Sequence, residues 1–242
     1  MNPEPAIMIV GDTLVDLLPE RPGRPGEAGG YFPKVGGTGA NVALALDRLG
    51  VPAHFWTRFG GDDFGTFVRD ELYRSDLDTA YVVQDETART TVALVTHDAA
   101  GERSFSFYRE NTADARMEPG RVTDETLDRM AWVHTTGLTL SLRSSPTAML
   151  ELVERVPAAT TLSFDPNWRA EMWSSRQEFA TMVRGLLPEV DVLKTTAEDI
   201  GPAGFDTRDP EALLEAIAAL GPDTVVLTRG AEGALCYGTP RS

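Results

Sequence analysis

Cysteine is nearly absent from this chain, since Cys236 is the one cysteine among 242 residues. A single cysteine cannot form an internal disulfide, and a chain of this length buries about 70 to 75% of its unfolded surface without any covalent cross-link. We therefore expect a reducing compartment and a cytoplasmic location. Histidine is scarce as well: His54, His97 and His134 have no metal-ligand spacing with Cys236 or with one another, which argues against a zinc site.

Long apolar runs are missing too. The longest ones, such as residues 6–10, fall far short of the roughly 20 residues that a membrane-spanning helix needs. Residues 1–5 lack the basic region and the apolar stretch of a secretory signal. With 42% hydrophobic and 24% charged residues, the composition is typical of a soluble globular protein, and the sequence predicts no role at a membrane.

Positive charge is under-represented, with 22 Lys and Arg against 37 Asp and Glu and a formal net charge of -15. A field of this sign repels polyanions, which argues against nucleic acid as a partner. Lysine itself occurs only at Lys34 and Lys194, so each of these two positions is a candidate for a specific role.

What the sequence does contain is an alternation of short apolar, β-rich runs with helical patterns. The predicted buried strands are 6–10, 53–58, 131–135, 160–164, 191–194 and 224–228. The predicted helices are 38–49, 62–73, 146–156, 177–187 and 210–220. This order predicts an α/β fold with one doubly wound, mostly parallel sheet and helices on both faces.

Two segments interrupt that alternation. Residues 13–34 are rich in Pro and Gly, and 81–108 has the pattern strand, strand, turn, strand without a helix. Within the second segment, 90–97 and 103–108 flank a turn-forming stretch at 98–101, which is typical of a hairpin. We expect a small β-sheet lid, formed by about 13–34 and 81–109, that is able to cover a ligand.

The densest glycine cluster lies at 36–41, where a strand-like stretch enters a predicted helix. Glycines allow backbone to approach a ligand closely, and the first turn of a helix offers unpaired N–H donors. The side-chain amide of Asn41 both donates and accepts hydrogen bonds, as sugar hydroxyls require. A simple tight turn explains the glycines equally well. The spacing lacks the third glycine of a dinucleotide fingerprint, and no Walker-type phosphate loop occurs.

Asp16 follows the first predicted strand by a few residues. Ligands of open α/β sheets bind beyond the carboxyl ends of the strands, where a carboxylate can hold hydroxyl groups. The alternative is a turn-forming aspartate.

Taken together, these motifs resemble the ribokinase-like, or PfkB, carbohydrate kinase family over essentially the whole chain. The stretches 98–109 and 165–169 are most similar to the fructokinase and 2-keto-3-deoxygluconate kinase branches. The residues that carry the resemblance lie at 11–16, 36–43, 49–50, 59–65, 98–109, 165–169 and 228–230.

The resemblance implies ATP-dependent phosphorylation of a sugar hydroxyl, and the small β-layer would be the family's lid and the interface of a homodimer. Tyr108 and Arg109 would reach the substrate from the lid side. The other positions that match the substrate-binding residues are Asp16, Gly36, Gly37, Asn41, Asp165 and Asn167.

On the nucleotide side, the resemblance assigns Lys194 to phosphate and Arg169 to the charge that develops during transfer. Without the motif, Arg169 reads equally well as a surface salt-bridge residue. The family organises Mg²⁺ through an Asn-x-x-Glu element that is altered here, which leaves Glu198 preferred over Asp199. The remaining positions that match along ATP are Thr228, Gly230 and Gly233.

The family's second signature, a Gly-Ala-Gly-Asp turn that supplies the catalytic base and an anion hole, does not occur in the sequence. The strand, turn and strand at 225–237 are followed by only five residues, where a complete fold would be expected to continue. We therefore expect a truncated portion of a kinase in preference to a non-catalytic sugar-binding relative; the gene sequence beyond Ser242 separates the two.

The resemblance therefore implies a fructokinase that uses ATP and Mg²⁺ to phosphorylate a small-molecule sugar. A 2-keto-3-deoxygluconate kinase is the nearest alternative, a nucleoside kinase is less favoured, and a non-catalytic sugar-binding protein is the rival from another class. Neither nucleic acid nor a membrane is an expected partner.

Overall fold

The computed structural model describes residues 6–97, 103–141 and 145–238. The chain divides into two compact units, one containing Gly11–Met117 and the other containing Ala6–Val10 together with the chain from Glu118 onwards. We call them the N-terminal unit and the C-terminal unit. Within the described ranges, no helix combines the length and the apolar character needed to cross a bilayer.

Strands and helices alternate along most of the described chain. The strands are β1 (Ile7–Val10), β2 (Leu14–Pro19), β3 (Tyr31–Gly36), β4 (His54–Gly60), β5 (Val82–Asp85), β6 (Val92–His97), β7 (Arg103–Tyr108), β8 (Trp132–Thr136), β9 (Thr161–Asp165), β10 (Val192–Thr195), β11 (Thr224–Thr228) and β12 (Ala234–Gly238). The α-helices are α1 (Thr38–Arg48), α2 (Asp63–Leu72), α3 (Asp124–Leu127), α4 (Gly137–Leu140), α5 (Ser145–Arg155), α6 (Arg176–Leu186), α7 (Ala197–Ile200) and α8 (Pro210–Ala218). Short 3₁₀ turns lie at Ala113–Arg116, Ala170–Met172, Leu187–Glu189, Gly201–Ala203 and Gly230–Glu232.

In the C-terminal unit the strands pair in the order β12-β11-β10-β9-β8-β1. All neighbouring pairs are parallel except β11 with β12. Along the chain, α-helices separate β8 from β9, β9 from β10 and β10 from β11, and Thr135 on β8 donates to Met149 Sδ on α5 at 2.8 Å. Every predicted strand and helix of this unit is present to within two residues, because each is a continuous apolar run or a clear amphipathic pattern.

The N-terminal unit holds the small sheet, whose strand order is β3-β2-β6-β7. The strands β6 and β7 are antiparallel, with Val92 opposite Tyr108, which confirms the predicted pairing; the predicted turn at 98–101 lies outside the described residues. The predicted fold class is confirmed: the protein is α/β, with a mostly parallel sheet, intervening helices and a second small sheet.

One strand of the predicted lid belongs elsewhere. The segment Val82–Asp85 pairs in parallel with β4, with Thr57 opposite Val82 and Gly60 opposite Asp85. Of the predicted lid segment 81–109, the part that joins the small sheet therefore begins at Val92, and not at residue 81. The reason is the helix between the two strands: β4, α2 and β5 form a β-α-β crossover, which returns the chain parallel to β4.

The start of α2 is tied closely to the end of β4. Asp62 caps the helix by accepting from Gly65 N–H at 2.9 Å, and its carboxylate also accepts from the backbone and hydroxyl of Thr90 at 3.0 and 2.8 Å. Burial raises the pKa of Asp62, but these hydrogen bonds outweigh it and hold the pKa below its usual value. A Cβ at Gly65 would lie 1.7 Å from Gly60 O, so the close approach requires glycine.

We expect Gly65→Ala to lower the free energy of unfolding by about 3 kcal/mol, because the added methyl group overlaps a backbone carbonyl that the β4 pairing holds in place. Gly185→Ala in α6 is the matched control, since a Cβ there meets nothing within 4 Å; it should stabilise the helix by about 0.5 to 1 kcal/mol. Urea denaturation of both variants measures the two effects, and equal stabilities would contradict the overlap.

Candidate sugar and phosphate sites

The N-terminal unit contains a glycine turn, which we define as Gly36–Thr38, between β3 and α1. Gly37 has a φ of 99°, a backbone conformation that glycine adopts at little cost. A Cβ at Gly37 would lie 2.5 Å from Asp12 O, and one at Gly39 would lie 2.6 Å from Gly11 Cα. The predicted strand, turn and helix are present, and glycine is required here because a second backbone packs directly against the turn.

Asp12 occupies part of the helix start that was expected to offer free amides. Helix α1 has Gly37 at its N-cap and therefore no capping side chain of its own. Asp12 supplies the cap from outside the helix: its carboxylate accepts from Thr38 N–H at 3.2 Å, and its carbonyl accepts from Ala40 N–H at 3.2 Å. The expectation of unpaired amides is thus wrong for these two N–H groups.

Asp16 lies within β2, directly opposite Lys34 on β3, so the alternative of a turn-forming aspartate is wrong. Its carboxylate occupies the space over Gly36, where a Cβ would lie 2.3 Å from Oδ2. Burial and the neighbouring Asp12 raise the pKa of Asp16 to about 6, against the opposing effect of Lys34. The structure therefore brings Asp16, Gly36 and Gly37 together, while Asn41 lies one turn along α1 with an exposed side chain.

Arg109 lies immediately after β7 and is buried. Its side chain is 5% exposed and forms a 2.6 Å ion pair with Asp114, which is 1% exposed. Thr91 donates to the same Asp114 carboxylate at 2.7 Å. Sequence reasoning placed Arg109 toward a ligand, whereas in the structure it lies in a buried polar cluster; Tyr108, the next residue, is 64% exposed.

Asp12 belongs electrostatically to the same cluster. Burial raises the pKa of Asp12, Arg109 lowers it, and Asp114 raises it again. Sequence reasoning missed both carboxylates. Asp12 had a usable signal, because it is polar and follows a buried strand by two residues, but nothing in the irregular segment around Asp114 marks it.

In the C-terminal unit, a second charged cluster forms where β9 and β10 end. Lys194 forms a 3.0 Å ion pair with Asp165, and Arg169 lies 3.5 Å from the Asp199 carboxylate. Parallel neighbours bring their carboxyl ends to one edge, which is why residues 29 positions apart meet. Asn167 also lies here, in a left-handed conformation with φ 40°, and its N–H donates to Asp165 Oδ1 at 3.1 Å.

The two candidate magnesium carboxylates differ in environment. Glu198 is exposed in the first turn of α7, whereas Asp199 is 8% exposed. Burial raises the pKa of Asp199, and the negative charge of Asp165 raises it further. The hydrogen bond from Thr196 and the positive charges of Arg169 and Lys194 oppose this rise. In the described ranges, no three His, Cys, Asp or Glu side chains are grouped so that they could hold a metal ion.

The predicted nucleotide positions lie at the end of β11 and in the turn that follows. Thr228 ends the strand and donates its hydroxyl to Thr195 O at 3.2 Å. Gly230 and Gly233 are exposed and have φ values of 57° and 85°, which favour glycine. The turn thus presents backbone without side chains next to the strand that carries Lys194.

A comparison with known families settles the family to which this arrangement belongs. A model described as pfkB family carbohydrate kinase matches residues 5–241. The chain belongs to the pfkB family. The matched residues include the glycine turn, the charged residues where β9 and β10 end, and the β11–β12 turn. The predicted family is therefore confirmed.

Several proteins similar to this chain carry the name fructokinase. Fructokinase of Escherichia coli is 32% identical over 234 residues, which is 96% of this chain and 73% of that protein. Fructokinase-1 of Zea mays is 34% identical over 212 residues, which is 86% of this chain and 66% of that protein. A crystal structure of the Vibrio cholerae fructokinase in its fructose, ADP and calcium ion bound form is 31% identical with a TM-score of 0.80, covering 96% of this chain and 73% of that one.

We expect Arg109→Met to lower the free energy of unfolding by about 3 kcal/mol, because Asp114 would be left buried without its cation. The control is Arg208→Met, since Arg208 is 89% exposed in its pair with Asp206 and such pairs contribute little. Thermal and urea denaturation measure the stability of both variants. Equal stability of the Arg109 variant and the wild type would show that the ion pair adds nothing.

Asp16→Asn should stabilise the protein at neutral pH. An aspartate whose pKa is about 6 when folded and about 4 when unfolded binds its proton more tightly in the folded state, so its ionisation costs stability as the pH rises from about 4, and the full cost is reached above about pH 6. We expect the variant to gain about 1 kcal/mol at pH 8, after screening at this half-buried position, and less at pH 5.

Asp62→Asn is the control, because its expected change in the free energy of unfolding at pH 8 has the opposite sign. The pKa of Asp62 lies below its usual value, so this variant should lose stability at pH 8. Urea denaturation at both pH values measures both variants. A wild type more stable than Asp16→Asn at pH 8 would contradict the inferred cost of the charge.

Proposed function

We propose that the protein is an ATP-dependent sugar kinase of the fructokinase type, which transfers the γ-phosphoryl group of ATP to a hydroxyl of fructose. The observation that carries the proposal is the half-buried Asp16 carboxylate over Gly36, in a chain of the pfkB family. The fructokinase relatives and the fructose- and ADP-bound Vibrio cholerae structure support both ligands.

The sugar would be held by the groups around the glycine turn. A carboxylate is an acceptor only, so Asp16 would accept from sugar hydroxyls, while the Asn41 amide would both donate and accept. Gly36 and Gly37 would let the sugar approach the backbone. The exposed Tyr108 would contribute from the end of β7.

The buried ion pair of Arg109 with Asp114 supports fructose over 2-keto-3-deoxygluconate as the substrate. The two substrates differ in a carboxylate, which a guanidinium would recognise. Arg109, which the family resemblance places on the lid side of the substrate, is 5% exposed and already pairs its guanidinium with the Asp114 carboxylate. A neutral ketose is the better match for the groups that remain.

Phosphate would be handled by the charged cluster of the C-terminal unit. Lys194 would contact the ATP phosphates as a compact charge, and Arg169 would neutralise the charge that spreads over the transferring group. Their partners Asp165 and Asp199 orient the two cations. Asn167 would assist on the substrate side, and the ATP would follow the backbone of Thr228, Gly230 and Gly233.

Magnesium fits this chain only as an ion carried mainly by the nucleotide. Mg²⁺ retains several waters and is commonly bound through one or two carboxylates and substrate phosphates, and the exposed Glu198 suits that arrangement better than the cation-paired Asp199. When bound, Mg²⁺ would neutralise phosphate charge.

The small sheet would act as the lid over the sugar and as the interface of a homodimer. Phe32 on β3 is 58% exposed and Tyr108 on β7 is 64% exposed, and both lie on edge strands of that sheet. Exposed aromatic groups on sheet edges favour such contacts. A cytoplasmic location is proposed on the unpaired Cys236.

Reciprocal binding tests the proposal. Asp16→Asn should weaken fructose binding about tenfold or more, because a hydrogen bond to a charged group is lost, while ATP binding stays unchanged. Lys194→Met should weaken ATP binding and leave fructose unaffected. Calorimetry measures both ligands on each variant, with circular dichroism as the control for folding.

An ADP-release assay of the protein made from the whole gene, against a sugar panel, then tests the reaction. Release with fructose supports the proposal, and release with 2-keto-3-deoxygluconate but not fructose overturns the choice of sugar. Binding of both ligands without ADP release by the protein made from the whole gene would favour the non-catalytic sugar-binding relative. Binding of neither would refute the proposed function.

A further inference from the structure

Lys34 is the cation nearest in register to the proposed sugar carboxylate. The strands β2 and β3 are antiparallel, and Lys34 lies directly opposite Asp16. Residues directly opposite each other share one face of the sheet, with Cβ atoms about 5 Å apart. On the other side of β2, the residue in register is Ala93, which carries no charge.

We propose that Lys34 is a positioning residue of the sugar site, whose ammonium group holds the Asp16 carboxylate in the ionised form that accepts hydrogen bonds from sugar hydroxyls. This inference rests on the proposed function, because it assigns to Asp16 the role of a sugar ligand. Lys34 itself need not touch the sugar.

The position of the Asp16 carboxylate explains why Lys34 acts at a distance. The carboxylate lies over Gly36, two residues along β3 from Lys34, and no ion pair within 4.0 Å joins it to Lys34 or to any other residue of the described ranges. A contact ion pair would occupy the oxygens that the sugar needs. A cation one register position away favours the charge and leaves those oxygens available.

The charges around Asp16 make this support necessary. Burial and the like charge of Asp12 both disfavour the ionised form, and Lys34 is the opposing charge. Lys34 also lines a cleft with Asp47, Arg48, Glu71 and Arg74, where Arg74 pairs with Glu71.

The first test follows Asp16 itself and does not depend on sugar. The carboxyl carbon of Asp16, identified by its loss in Asp16→Asn, is titrated by NMR between pH 5 and 9. Lys34→Met should move the midpoint upward from about pH 6, and Lys34→Arg should restore it. The shift should shrink at high salt, because exposed charges are screened. Equal midpoints in the wild type and Lys34→Met would overturn the proposal.

The second test measures fructose affinity across the same range. Lys34→Met should bind fructose about two- to threefold more weakly at pH 5.5, as expected for an exposed charge at this separation, and as tightly as the wild type at pH 9. Arg48→Met removes the same charge from the same cleft but not from the Asp16 register, and should keep the wild-type profile.

A loss of affinity that is equal at every pH would show a packing role for Lys34 and overturn the electrostatic one. If fructose binds to neither protein at any pH, the proposed function fails, while the NMR titration still decides whether Lys34 controls Asp16. The methionine retains the alkyl chain of lysine, so packing by the stem is preserved.

Discussion

The glycine turn depends on one steric constraint: a second stretch of backbone and two carboxylates fill the space where its side chains would be. Asp16 occupies the volume over Gly36, and the carbonyl of Asp12 occupies the volume over Gly37. The same Asp12 then caps α1, which has no capping side chain of its own. The turn, the first turn of the helix and the proposed sugar carboxylate are therefore one packed assembly: a methyl group at Gly36 would overlap the Asp16 carboxylate, and one at Gly37 would overlap the Asp12 carbonyl.

Much of the fold could be predicted because it follows from local patterns. The parallel strands of the C-terminal unit are short apolar runs, and α1 ends at a glycine with a proline beyond. The strand β5 was misassigned because its composition does not distinguish pairing with β4 from pairing with β6; the difference lies in the crossover through α2. The periodicity of a sequence shows which residues lie on each face of a strand, but it does not show which other strand lies beside it.

The candidate site was predictable in part for the same reason. The glycines at 36 and 37 and Asp16 carry recognisable signals, because backbone conformation and position after a strand are local properties. Arg109 was expected to reach the substrate from the lid side, and its buried pairing with Asp114 had no sequence signal, since Asp114 lies in an irregular segment whose contacts depend on tertiary packing. A buried charged side chain needs a counter-charge beside it, whereas an exposed one is able to face a ligand. The spacing of residues in a motif does not show which of the two applies.

The placement of Cys236 has a practical consequence. Because it is the one thiol of the chain and lies exposed on β12 opposite Val226, a maleimide dye would attach at a single defined point without any engineered substitution. That point is on the strand that follows the Gly230–Glu232 turn, so the emission of the dye would provide an optical readout of events at the turn where we propose that ATP binds.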